Sequence, residues 1–331
     1  MANDRARQIF SITIMVLLGI LPPIFIWIGE PFYADLATRL VCLAIAAVSL
    51  NLILGYGGMV SFGHAVFIGI GAYAVGIPSY HATYGEWDAI ASYSGFFQFG
   101  IAIGISAIFA LIVGAICLRT KGVYFIMITM AFSQMMFFFF ISQETYGGDD
   151  GLTIDIRSEL PFMSMDDPLQ MYLLCYASLV AAVLLVRMIV RSRFGMVLRG
   201  GMGNEERMRM IGYNVYLYRL VAYVISGAMA GYAGALLGNF TTFISPEMMD
   251  WTRSGELMFM VILGGGGTSV GPVLGSILFI GLEFVIENTI ALINHDWAKY
   301  WHLPFGAFLI GVVLFVPGGV IGLFKSKERK K

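Results

Sequence analysis

The side chains best suited to metal binding or nucleophilic chemistry are four histidines (His64, His81, His295, His302) and three cysteines (Cys42, Cys117, Cys175). Neither set is spaced for it. Zinc sites draw on ligand pairs about two to five residues apart, and these histidines are scattered. The cysteines are odd in number and each lies in an apolar run, where a thiol acts as a small packing residue. A phosphate-binding loop needs Lys followed by Ser or Thr after its glycines. The only Lys-Gly context is Thr120-Lys121-Gly122, and the glycine-rich LGGGGTSVG (263–271) has no lysine. The chain therefore cannot hydrolyse ATP by that route. It offers no catalytic constellation and no metal site.

What remains is polar chemistry inside apolar surroundings. Asn51, Ser61, His64, Ser133, Gln134, Ser226 and Glu283 fall within hydrophobic runs. In lipid such groups are costly and face a bundle interior or a cavity. For His64, just past a glycine, a helix-packing hydrogen bond and a substrate contact are both open readings. Glu283 either serves the interior or pairs near the outer interface. Two segments, LGYGGMVSFG (54–63) and LGGGGTSVG (263–271), share the pattern Leu-Gly-x-Gly-Gly. Glycine-interrupted hydrophobic segments in matching positions of two halves point to a transport pathway, because irregular backbone survives in a membrane only where it is buried or lines a cavity. The residues expected along that pathway are Asn51, Gly57, Gly58, Ser61, His64, Gly265 and Gly266.

The elements that position these groups follow from hydropathy. Apolar residues make up 58% of the chain and charged ones 12%, about half the charge of a soluble domain, so much of the surface faces lipid. Runs of about 20 apolar residues predict an all-α, polytopic transmembrane bundle of about ten spans, near 10–29, 33–54, 59–80, 97–118, 123–142, 169–190, 217–240, 255–264, 270–287 and 304–323. The eighth is too short to cross unless it starts earlier or continues into glycine-rich backbone. The first reads as a retained span rather than a cleaved leader. Residues 1–331 are expected to form a single transmembrane domain.

With the N-terminus inside, 16 of the 20 basic residues fall on the cytoplasmic side, leaving Arg39, Arg157, Arg253 and Lys299 outside, as the positive-inside rule requires. Both glycine breaks then lie at cytoplasmic helix ends, as in a parallel repeat. Two loops are long. The outer one (143–168) is acidic and reads equally as a folded cap, a docking surface or a solvated connector. The inner one (191–216) mixes Phe194, Val197, Leu198, Met202, Met208 and Ile211 with Arg193, Arg199, Arg207 and Arg209. That mixture suits a short helix at the membrane face or in a partner's groove.

The stretch SRFGMVLRGGMGNEERMRMIGYNVYLYRLVAYVISGAMAGYAGALLG resembles the coupling loop and following span of LivM-type permeases of branched-chain amino-acid ABC importers. Three further segments agree in order: LNLILGYGGMVSFGHAVFIGIGAY, SGELMFMVILGGGGTSVGPVLG and VLFVPGGVIGLF. The resemblance implies an ABC importer permease fold in a bacterial inner membrane, with no cofactor on this chain and no nucleic acid. Its implied partners are a second related permease, two ATP-binding subunits that hold ATP and Mg, an extracytoplasmic substrate-binding protein, and membrane lipid. The implied cargo is branched-chain or other hydrophobic amino acids; the alternatives are urea, amides or aromatic acids in a related importer, or a self-sufficient secondary transporter. Coupling to the ATPase is expected at Asn204, Glu205, Glu206, Arg207, Met208, Arg209, Ile211 and Gly212, with Met208 and Ile211 as apolar anchor. Gly200, Gly201 and Gly203 depart from the pattern. Because a glycine costs about 1 kcal/mol inside a helix, the coupling helix is expected to start near Asn204.

The distribution of basic residues predicts that both termini are cytoplasmic. A reporter active only outside the cytoplasm, fused after Lys331, should give no signal; a strong signal would reverse the topology.

Overall fold

The computed structural model describes residues 2–29, 31–85, 91–161, 163–293, 302–315 and 318–323. The expectations for His295, Lys299 and the basic run 325–331 lie outside the described residues. Thirteen helices follow in order: α1 (Ala2–Ile28), α2 (Pro31–Leu54), α3 (Ala65–Tyr84), α4 (Gly95–Cys117), α5 (Val123–Ile141), α6 (Pro168–Arg191), α7 (Arg193–Gly203), α8 (Glu205–Met210), α9 (Val215–Thr241), α10 (Trp251–Gly264), α11 (Gly271–Ile293), α12 (His302–Phe315) and α13 (Gly319–Leu323). Two short strands, β1 (Leu152–Thr153) and β2 (Phe243–Ile244), pair antiparallel, a small exception to the all-α expectation.

Among the described residues, seven helices, α2 to α6, α9 and α11, are long and apolar enough to cross a membrane. The expected first and tenth spans appear as the shorter apolar stretches Ile12–Ile28 and His302–Val312. The eighth is α10, which starts earlier than expected, at Trp251, yet has only 14 residues, about 21 Å of helix. The third span also shifts: the chain is irregular from 55 to 64, and α3 begins at Ala65.

The core of the bundle is α2, α3 and α9, and small residues make it. Without a hydrophobic force between helices in lipid, association depends on close backbone packing. Along α9, Gly227 faces Ala110 and Phe67, Gly231 meets Ser106 and Ala102 of α4, and Gly234 lies on the Ile68 carbonyl of α3. A Cβ at Gly71 of α3 would stand 1.8 Å from the Gly231 carbonyl oxygen. The apolar run SGAMAGYAGALLG is thus a seam of backbone contact. Cys42 of α2 and Cys175 of α6 pack with their sulfurs 3.6 Å apart, and all three cysteines are buried, as packing residues should be.

The outer loop is a folded cap. Its own Leu152, Ile154 and Met165 are buried. Ser158 donates its backbone N–H to Asn239 Oδ1 at 2.9 Å, and its hydroxyl reaches Asn239 and Gln98. Arg157 closes the loop on itself by donating to the Met165 carbonyl at 2.9 Å.

Overpacking a close helix seam destabilises by about 1–3 kcal/mol or more. Gly71→Leu should therefore lower the thermal midpoint of the detergent-solubilised protein by several degrees. Gly100→Leu, on α4 with nothing within 4 Å of its Cβ position, should leave the midpoint unchanged. Equal behaviour of the two variants would remove the seam as the organising contact.

Candidate functional site

The two glycine breaks meet. Asn51, fully buried in the last turn of α2, donates Nδ2–H to the Thr268 carbonyl at 2.8 Å and accepts the Gly267 N–H on Oδ1 at 2.9 Å. One side-chain amide thus satisfies a donor and an acceptor of the other break. Such groups in hydrocarbon would otherwise each cost several kcal/mol. The approach requires glycine: a Cβ on Gly55 would lie 2.3 Å from the Gly267 nitrogen. Gly58 adopts φ +68° beside Met202 of α7, whereas Gly266 is exposed with nothing within 3.7 Å of its Cβ position.

The remaining residues expected along the pathway are placed differently. Gly57, Ser61, His64 and Gly265 are buried. The His64 ring lies 2.9 Å from Ser49 Oγ. That hydroxyl already donates to the Ala46 carbonyl at 2.7 Å, so His64 donates from Nε2. Ser226 of α9 donates to the Ser49 carbonyl at 2.5 Å. Of the two readings open for His64, the geometry is that of a helix-packing hydrogen bond.

The first break runs alongside α10 and is fastened to both its ends. At the far end the Ala65 N–H donates to Ser254 Oγ at 2.9 Å, and Phe62 packs against Trp251 with centroids 6.3 Å apart. Residues 242–254, expected as an outer loop, instead dip into the bundle. The 3-10 turn Pro246–Met249 sets Met249 against Gly69 of α3. Ser133 donates to the Met249 carbonyl at 2.7 Å, and Gln134 donates to Asp250 Oδ1 at 2.6 Å. Gln134 is the twelfth of 19 residues in α5, so Asp250 lies about 16 Å along that helix, near the middle of a bilayer core about 30 Å thick. Asp250 caps α10 by accepting the Thr252 N–H, and α10 descends from there as a half-length helix.

A cavity of about 850 Å³ opens at the head of α10, between an aromatic wall of Phe62, Phe137, Trp251 and Phe259 and the polar groups Glu247, Asp250, Arg253 and Glu256. Arg253 pairs with Glu256 at 3.0 Å and lies within electrostatic reach of Glu247 and Glu283. Glu283 of α11 pairs with Arg39 of α2 at 3.5 Å, the Arg39 side chain staying 41% exposed, and Arg39 is the ninth residue of the spanning helix α2. A charge facing hydrocarbon at this depth costs about 2.5–3.5 kcal/mol. None of the expected pathway residues lines this cavity. The signal that could have found it is the deficit in the eighth span together with the cap Asp250 ahead of it.

The inner loop folds as two helices. Its glycines do not end α7: Gly200 makes room for Met208 and Gly201 for Val215, so a helix precedes the expected start. Asn204 then caps α8, accepting the Arg207 N–H at 2.9 Å. Glu205 turns inward to pair with Lys121 at 2.7 Å, Arg209 at 2.6 Å and Arg219 at 3.0 Å, tying α8 to the α4–α5 turn and to α9. Burial pushes its carboxyl up, but the three cations outweigh it and hold its pKa below the ordinary value. Met208 packs against Gly200 of α7 and is half-buried, while Ile211, the other residue expected as anchor, is exposed. Glu206, Arg207, Arg209, Ile211 and Gly212 are exposed, as are Met202 and Met210, the latter to 85%.

Long apolar helices, a buried junction of broken backbone and a half-length helix meeting a cavity at mid-depth define a multi-pass membrane protein with the build of a transporter. A family model described as "Branched-chain amino acid transport system / permease component" matches residues 32–316, and the chain belongs to this family of ABC-transporter permeases, transport subunits rather than enzymes. It is 22% identical to the high-affinity branched-chain amino acid transport system permease protein LivM of Escherichia coli K12, over 99% of this chain and 78% of that protein. It is 25% identical to a probable LivM of Methanocaldococcus jannaschii, over 84% and 89%. To the LivH permease protein of the same E. coli system it is 28% identical over 43% of this chain and 44% of that protein. No solved structure matches the chain.

A charge-assisted hydrogen bond contributes about 1.5–3 kcal/mol, so Glu205→Gln should raise hydrogen exchange at amides 205–212 about tenfold or more. Because the folded carboxyl has the lower pKa, its contribution is complete above the unfolded value of about 4.3 and is lost as pH falls through the folded one. The wild type should show that acid step and the Gln variant should lack it. Equal exchange at every pH would mean that Glu205 does not hold α8.

Proposed function

We propose that this chain is one of two permease subunits of an ATP-driven importer for branched-chain or other hydrophobic amino acids, set in a bacterial inner membrane with both termini cytoplasmic. Two ATP-binding subunits, which carry ATP and Mg, drive it from the inside, and an extracytoplasmic binding protein delivers substrate to the cap. Transport proceeds by alternating access: docking of the loaded binding protein and closure of the ATP-bound engine switch the open side of the pathway.

The observation that carries this reading is the exposed edge of Met202, Met210 and Ile211, held firmly by Glu205 and edged by Glu206, Arg207 and Arg209. An apolar centre with a charged rim is the anatomy of a docking surface. Glu205 gives a push on that edge a direct route to α9 and to the α4–α5 turn. The family supports branched-chain cargo over the urea, amide or aromatic-acid alternatives, and an ABC engine over a self-sufficient transporter.

Met210→Asp combined with Ile211→Asp should remove the ATPase from the purified complex, weakening association roughly 30-fold or more, as loss of a binding hot spot of about 2 kcal/mol does. Arg207→Ala, at the rim, should have a much smaller effect. Met208→Asp should instead disturb the packing of α8 on α7. Full ATPase recovery with the double variant, confirmed as inserted, would sink the coupling assignment.

A further inference from the structure

The head of α10 presents a problem that this chain alone does not solve. Asp250, Arg253 and Glu256, joined through electrostatic reach by Glu283, lie on one side of the bundle near half-depth, set there by the Gln134–Asp250 and Ser133–Met249 hydrogen bonds. The Arg253 side chain is 46% exposed and that of Glu256 31%. Hydrocarbon cannot cover such a surface, since ionised groups at this depth face protein or water. On α4 and α5 the wall is unlike it: Ile108 and Met127 are exposed and apolar, as lipid contact requires. An apolar groove of about 540 Å³ continues from the cavity along α10, α11 and α12, past Phe279, Phe305 and Leu309.

We propose that this face is the seat of the second permease, a different chain of the same family, and that the two chains together enclose the cavity as the mid-membrane stretch of the translocation route. The charges supply a water-lined wall and the adjoining groove supplies the apolar contact. A different chain is favoured over a second copy because one E. coli transport system has two distinct permease proteins, LivM and LivH, both similar to this chain. In a two-fold pair of identical chains the same patch would meet itself, setting Glu247, Asp250 and Glu256 against their own copies. The inference rests on the two-permease reading above and adds the location of the contact.

The test uses the complete complex purified in mild detergent with retained lipid. Thr252→Cys and Phe259→Cys are each labelled with a benzophenone maleimide, the native cysteines being buried, and irradiated. Ile108→Cys and Met127→Cys serve as lipid-facing controls. Adducts to the second permease from 252 and 259, with lipid adducts alone from 108 and 127, are expected. Adducts to a second copy of this chain, or lipid adducts alone from 252 and 259, would overturn the proposal. Should the second permease co-purify but cross-link from 108 or 127 instead, the face is wrong while the function proposed above stands. Should no second permease accompany the chain at all, both fail.

Discussion

Everything in this bundle answers to one constraint: in hydrocarbon, a backbone amide without a partner has no water to turn to. The chain leaves helical geometry twice at one end of the bundle, and Asn51 reconciles the two departures with a single amide group. Gly55 and Gly267 must lie nearly in contact for that amide to reach. The glycine seam of α9 serves the same demand by bringing helix backbones close enough to exclude lipid between them. Interrupted helices and small-residue helices are therefore two parts of one solution.

The sequence was informative where physics is local. Hydropathy located the long helices, because a membrane span needs a continuous apolar run. The shared Leu-Gly-x-Gly-Gly pattern identified two segments that turned out to touch, and Asn51 was among the residues expected there. Periodicity could not show that the loop before α10 dips to mid-depth. That depends on Ser133, Gln134 and Gly69, which are distant in sequence and supply the partners that make the excursion tolerable. The polar groups at the head of α10 therefore looked like ordinary outer-loop residues. The coupling segment was legible as a unit but not by side: about half a turn of helix separates Met208 from Met210, and Gly200 takes Met208 in while Met210 and Ile211 stay out.

Glu205 shows how a surface element can be stiff without a core beneath it. Three cations from three segments converge on one carboxylate, and the backbone around it is capped by Asn204. Each ion pair alone, at a partly wet surface, would contribute little. As a network around a mostly covered carboxylate they set the orientation of α8, and that orientation decides which side chains a docking subunit meets. The route from the cytoplasmic surface to the small-residue seam is short, passing from Glu205 through Arg219 into α9.

The half-length of α10 also bears on how the chain is made. A segment of 14 residues preceded by Glu247 and Asp250 is a poor candidate to leave the translocon into lipid by itself. The partners that hold its head, Ser133, Gln134, Gly69 and the break from 55 to 64, are synthesised before it, and α11, which packs along it, follows. The polypeptide can therefore hold α2, α3 and α5 ready as a receiving groove when residues 242–264 emerge. The order of synthesis then offers the receiving groove before α10 emerges and supplies α11 to close over it afterwards.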